Sequence, residues 1–224
     1  MKNQDYKTIE GEEYYLIVKR AFEILAPFYD IVTTPISRVR SKVVDFTNAR
    51  NGSRILDVGT GTGKQAFAFA KKGYDVIGID LSEAMLEVAK KKNKYENVKF
   101  EVADAVNLPF VNNSFDVSCA SFVLHDMPLT MREKALKEMV RVTKPKGMIV
   151  IIDYALPKNR VGRFLIYHFV KLYEGKYYLG FIKSDLEALL RKSGIEIKKE
   201  LPVLLGAGRI LKGIRMDDDM YSDV

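Results

Sequence analysis

Two periodicities divide the chain. Up to about residue 50 the apolar positions Tyr14, Ile17, Val18, Ala21, Ile24 and Leu25 recur at spacings of three and four, as do Ile36, Val39, Val43 and Val44. That spacing predicts helices with one apolar face, and Pro27 and Pro35 break the region into pieces. From Arg54 the period changes. Short, nearly continuous apolar runs at 55–58, 76–79, 98–102, 117–120 and 148–152 alternate with amphipathic stretches. Such runs are strands buried on both faces, and their alternation with helices predicts a parallel sheet covered on both sides.

The intervening stretches carry helix signals. Ser82 is a good N-cap for a helix through Met85, Leu86 and Ala89, and Lys90, Lys91 and Lys92 close it as a solvated end. A second amphipathic helix is expected over 130–142, with Pro145-Lys146-Gly147 as its turn into the next strand. After Tyr154 come a helix-like stretch at 163–173 and an aromatic-basic connection at 176–181. A helix follows from Ser184-Asp185 through Leu190 with Gly194 as its C-cap, then strands at 195–201 and 208–214. The expected fold is α/β: a doubly wound, mostly parallel seven-stranded sheet, Rossmann-like, with an antiparallel last strand. The expected organisation is a single domain, 1–224, with a helical lid (1–50), a ligand-binding core (51–153), acceptor-side helices and last strands (154–215) and an acidic tail (216–224). The ligand belongs outside the strand C-termini, where strand order reverses.

Candidate chemistry begins at Gly59-Thr60-Gly61-Thr62-Gly63, which follows a buried strand and opens the helix around Ala66. Glycines there allow a tight turn and close approach to a ligand. A Walker A loop needs glycine where Val58 stands and Ser or Thr where Gln65 stands, and a dinucleotide loop needs its third glycine at Lys64. Both readings fail. What remains is an acidic residue, Asp57, two places before G-x-G-x-G, and a carboxylate there suits a cationic ligand. Asp80 ends the second strand, where a carboxylate either accepts hydrogen bonds from two ribose hydroxyls or caps the next helix.

The run 55–63 resembles the first motif of class I S-adenosylmethionine-dependent methyltransferases. With Leu108-Pro109-Phe110, Ser114-Phe115-Asp116 and Arg141-Val142-Thr143-Lys144-Pro145-Lys146-Gly147, the pattern is similar to the UbiE-like quinone C-methyltransferases over roughly 26–157. The resemblance implies S-adenosyl-L-methionine as cofactor and S-adenosyl-L-homocysteine as product. It places Asp57, Gly59, Thr60, Gly61, Thr62 and Gly63 around the cofactor, with Asp80, Leu81 and Met85 after the second strand. Asp104 and Ala105 would meet the adenine amino group, and Ser121 and Phe122 would end the fourth strand. Tyr29, in Pro27-Phe28-Tyr29-Asp30, would belong to a lid over the bound cofactor.

The acceptor side differs from that group. The quinone enzymes carry a Gly-x-Arg-Asn type of sequence after the fourth strand, where this chain has Val123-Leu124-His125-Asp126. His125 is a candidate general base; it could equally pack against the cofactor or cap the following loop. An Asn/Asp-Pro-Pro-aromatic tetrad for base amines is replaced by Ser121-Phe122-Val123-Leu124, which argues against DNA base N-methylation. The leading acceptor is a small or lipophilic molecule of quinone or isoprenoid type. Alternatives are a phospholipid headgroup amine and a non-catalytic role in cofactor binding.

Composition refines this picture in three places. Residues 154–215 hold 13 Lys/Arg against 5 Asp/Glu, more than the whole net charge of +7, whereas the tail carries Asp217, Asp218, Asp219 and Asp223. The basic region is either a solvated face or a peripheral contact with an anionic membrane, and no RNA-binding module is visible, so nucleic acid is not an expected partner. Tyr167, Tyr173, Tyr177, Tyr178 and Phe181 within it could line an acceptor pocket, meet a membrane or pack a helical cap. His168 reads as a packed histidine and the single cysteine, Cys119, as an inert core residue. No Cys/His clustering suggests a metal. With no apolar run near the roughly 18 residues of a spanning helix, and no signal-peptide layout in Met1-Lys2-Asn3-Gln4-Asp5, a cytoplasmic location is expected.

Overall fold

The computed structural model describes residues 2–157, 159–160, 162–164, 167 and 176–216. Seven strands form one sheet: β1 (Arg54–Val58), β2 (Asp75–Asp80), β3 (Val98–Val102), β4 (Phe115–Ser121), β5 (Thr143–Tyr154), β6 (Ile195–Val203) and β7 (Gly208–Arg215). Their order is β3-β2-β1-β4-β5-β7-β6. The first five run parallel, and β7 lies antiparallel to both β5 and β6. Strand order reverses between β1 and β4, so a crevice opens above their C-terminal ends.

The near-continuous apolar runs make the central strands buried on both faces. In β1 only Arg54 is exposed. On one face, α3 (Ser37–Thr47), α4 (Lys64–Lys71) and α5 (Glu83–Lys92) bury Val43, Phe69 and Leu86 against Ile55 and Val76. On the other, α6 (Leu129–Val142) and α8 (Leu186–Lys192) bury Leu136 and Leu189 against Leu56 and Ile149. Cys119 is fully buried in β4. The first helix, α1 (Lys2–Leu25), and the short α2 (Tyr29–Val32) lie at the crevice. Tyr14 is buried there, but Ile17 and Ile24 are exposed, so the apolar stripe of α1 is only partly used.

Three local expectations change. Pro145-Lys146-Gly147 is not a turn between helix and strand but an outward bulge inside β5. Phe115 pairs with Thr143 and Val117 with Met148, so the extra residues loop out of the ladder, with Lys146 at φ +59°. The connection at 176–181 instead contributes to a helix, α7 (Tyr178–Lys183), that buries Tyr178 and Phe181. Lys92 is not merely a solvated helix end, since its ammonium is bonded to Asp30. Most of 163–173, including His168 and Tyr173, and the tail at 217–224 lie outside the described residues. Ser82 and Asp185 are N-caps, accepting from the backbone N–H of Met85 and Ala188.

Candidate active site

The turn after β1 is shaped by its glycines. Gly59 has φ +64°, and a Cβ there would sit 2.3 Å from Val123 Cγ2. Gly61, at φ +55°, faces the crevice, where a Cβ would approach Met85 and Tyr29 at 3.5 and 3.7 Å. Its N–H donates to Asp80 Oδ2 at 2.8 Å, while Ser82 N–H donates to Asp80 Oδ1 at 2.9 Å. Asp80 therefore joins the glycine loop to the start of α5 and is held in one orientation. Burial pushes its carboxyl above the ordinary range despite these donors.

These residues border a cleft of about 640 Å³, part of it open to solvent. Gly59, Gly61, Asp80, Leu81 and Met85 line one side, and Asp104, Ala105 and Phe122 line another. Tyr29 from α2 and Tyr14, Val18 and Phe22 from α1 form the roof. Asp104 is bonded at both oxygens: Tyr15 of α1 donates to Oδ2 at 2.5 Å and Val106 N–H to Oδ1 at 3.0 Å. Among the described residues, three carboxylates, Asp80, Asp104 and Asp126, line this cleft and no Lys or Arg does. Tyr14 lies among all three; burial and then their negative charge push its phenol pKa upward.

A second pocket adjoins the first through Tyr29, Gly59, Gly61 and Phe122. It holds Asp57, Thr60, Thr62 and Ser121, together with Arg40 and Gln65. Asp57 braces the loop, accepting from Thr60 Oγ1 at 2.6 Å, and its Oδ1 is buried with no hydrogen-bond partner among the described residues. Burial raises its pKa to about 7. Gly63 lines neither pocket; it is the left-handed N-cap of α4.

The roof is fastened by a residue that periodicity does not single out. Asp30 Oδ1 accepts from Thr62 Oγ1 at 2.6 Å, its carboxylate pairs with Lys92 and, at 3.2 Å, with Lys64, and its carbonyl accepts from Lys64 Nζ. Although burial raises the Asp30 pKa, these bonds bring it below the ordinary range.

His125 is buried and does not line the cleft. Its Nδ1 lies 2.8 Å from Asp153 Oδ1, and its ring meets Tyr154 and Phe181 edge-on. Arg132 fixes the turn that carries it: Nε donates to Leu124 O, Nη2 to Met127 O and Nη1 to Ser184 Oγ. The basic region is largely engaged within the fold. Lys212 donates to Phe46 O and Thr47 O, Arg215 to Asn113 and Thr143, and Arg209 pairs with Glu187. Among the described residues no group of His, Cys, Asp and Glu could hold a metal, and no helix is long and apolar enough to cross a membrane.

Residues 56–151 match the family described as a methyltransferase domain. Over this segment the chain is similar to methyltransferase domains. Over 145 residues the chain is 40% identical to the demethylmenaquinone methyltransferase of Paenarthrobacter aurescens, covering 62% of this chain and 56% of that protein. The chain thus spans little more than half the length of that relative. Solved structures with the same fold include a Haloferax volcanii chain in complex with the Trm112 methyltransferase activator. It has a TM-score of 0.72 at 16% identity, covering 88% of this chain and 98% of that one. Another is phosphoethanolamine N-methyltransferase 2 of Haemonchus contortus bound to S-adenosyl-L-methionine, with a TM-score of 0.62 at 20% identity, covering 80% and 53%.

The cleft suits such a cofactor. Among the described residues a cationic ligand finds three carboxylates and no competing cation at its lining. A Cβ at Gly61, at contact distance from Met85 and Tyr29, would narrow the cleft.

Proposed function

We propose that the chain is an S-adenosyl-L-methionine-dependent methyltransferase whose acceptor is a quinone-like molecule. The observation that carries this reading is the lining of the cleft, which is acidic at Asp80, Asp104 and Asp126 and apolar across Val18, Phe22, Val123 and Met127. Asp80 would hold the ribose hydroxyls, Asp104 and the Ala105 backbone the adenine, and the glycine loop the amino-acid end. The bound sulfonium supplies an activated methyl group with a neutral leaving group. The protein's task is then alignment and exclusion of water. The roof of α1 and α2 covers the site, and orientation of this kind supplies about 7–11 kcal/mol. The name of the bacterial relative supports an apolar quinone as acceptor. A headgroup amine is less favoured, because among the described residues no Lys or Arg lines the cleft to take its phosphate.

The test is transfer of a labelled methyl group to a reduced naphthoquinone bearing a short isoprenoid chain, with phosphatidylethanolamine vesicles in parallel. Label in the quinol is expected, and label confined to the lipid overturns the acceptor. Calorimetry checks the cofactor assignment: Asp80→Ala is expected to weaken binding by about 1.5–3 kcal/mol, the value of a charged hydrogen bond. Unchanged affinity refutes Asp80's role.

A further inference from the structure

His125 has the chemistry of a base but not the position, whereas its neighbour has the position. Asp126 lines the cleft between Val123 and Met127, and its carboxylate is about one-quarter exposed. His125 Nε2 lies behind it, 3.6 Å from Asp126 Oδ2, longer than a hydrogen bond and close enough for an ion pair. Behind the histidine stands Asp153 with a fully buried side chain. Its oxygens accept backbone N–H bonds from Leu124, His125 and Tyr154 at 3.0, 3.2 and 2.8 Å. A carboxylate receiving three N–H donors is held as an acceptor, so the proton of the short Nδ1 contact belongs to the histidine. The other ring nitrogen, Nε2, faces Asp126.

We propose that Asp126 is the catalytic proton acceptor, and that His125 and Asp153 are positioning residues that hold the proton Asp126 receives. This rests on the reading above of a hydroquinone acceptor. In the step, the acceptor's hydroxyl gives its proton to an Asp126 oxygen, and the ring carbon's electron pair forms the new bond to the methyl group. The sulfur–methyl bond breaks with its pair on sulfur. The ring C–H proton then moves to oxygen as the ring regains aromaticity. One net proton remains on the Asp126–His125 pair, where the imidazolium lies between two carboxylates, and passes to solvent. Among the described residues, the charged and titratable groups around the pair include Arg132 from α6, bonded to Leu124 O, the Tyr14 phenol from α1, Tyr154 from β5 and Tyr178 from α7, with Asp80 and Asp104 lining the same cleft. Burial lowers Arg132 only to about 10, so it stays cationic at neutral pH and adds positive charge next to Asp153.

Two readouts test this. The first needs no acceptor: NMR titration of the chain's two histidines, His125 and His168, with His168→Gln to assign them. A carboxylate within ion-pair distance shifts a neighbouring ring by about one unit or more. Asp126→Asn is therefore expected to lower the His125 midpoint by about that amount, and an unchanged midpoint overturns the coupling. The second is turnover of the reduced prenylated naphthoquinone. Asp126→Asn should lower kcat about 100-fold or more with KM nearly unchanged, and Asp126→Glu should restore part of it. The wild-type pH–rate profile should lose its rising limb in the variant. A kcat for Asp126→Asn within a few-fold of wild type across pH 6–9 overturns the catalytic role. Wild-type enzyme that binds cofactor but leaves the quinol unmethylated overturns the acceptor reading, and the titration still judges the pair. Circular dichroism checks folding, with Asp126→Ser replacing the Asn variant if that fails to fold.

Discussion

Asp30 Oδ1 accepts a hydrogen bond from Thr62 Oγ1 at 2.6 Å, joining the segment over the cleft to the glycine-rich loop beneath it. With Lys64 and Lys92 on the same carboxylate, this cluster fastens the roof at one end. Tyr15 on Asp104 fastens it at the other.

Asp30→Asn should therefore loosen closure without disturbing the sheet. Partly exposed ion pairs are worth about 1 kcal/mol, so the Kd for S-adenosyl-L-methionine should rise roughly fivefold. Calorimetry at low and high salt checks this. Wild-type affinity should fall with salt and the variant's should change less, because only the wild type keeps the screened pairs. Equal salt dependence would remove Asp30 from closure.

Arg132 is the stay of the turn bearing His125 and Asp126. Replacing it with Met keeps much of its bulk over Phe181 but leaves the Met127 carbonyl without its donor and takes one of two donors from Leu124 O, which still accepts from Met127 N–H. An orphaned buried acceptor costs about 1–3 kcal/mol, and a lost charged donor adds to it. A loss near 3 kcal/mol is expected in urea unfolding, whereas a loss below 1 kcal/mol would show that the turn stands without it.

Asp57 gives the fold a pH dependence of unusual sign for a carboxylate. Burial holds its pKa at about 7 against an ordinary 3.8. Between about pH 4 and pH 7 the folded chain keeps a proton that the unfolded chain has released, so this group's contribution to stability is lost as pH rises through that window. Asp57→Asn removes the titration and retains an acceptor for Thr60. Its Tm should match wild type near pH 4.5 and exceed it by several degrees at pH 8, read by differential scanning calorimetry. A gap independent of pH would assign the titration elsewhere.

The parts legible in the sequence are those written in local pattern. Strands such as 55–58 announce themselves because burial on both faces demands unbroken apolar residues. The G-x-G-x-G turn does so because its backbone angles demand glycine. Pro145-Lys146-Gly147 misleads for a physical reason: a bulge with Lys146 at positive φ and a turn draw on the same residues. The region 178–183 is too short for a helical period to emerge, and its aromatic residues hide a buried face. Asp30 stood in the expected lid segment without a role, and Arg132 and Asp153 were not legible at all. Lys92, Ser184 and His125, partners of the three in that order, lie 62, 52 and 28 residues away in sequence, and only the fold brings them together. Asp126 stood beside the obvious histidine; nothing in its spacing told which of the two would face the cleft.

The acidic lining of the cleft bears on turnover as well as on binding. On the proposed reaction a ligand arrives with a positive charge and leaves as a neutral thioether, while Asp80, Asp104 and Asp126 stay in place. The attraction that gathers the substrate is switched off by the chemistry itself. Spent cofactor thus loses an attraction that fresh cofactor keeps in the same pocket.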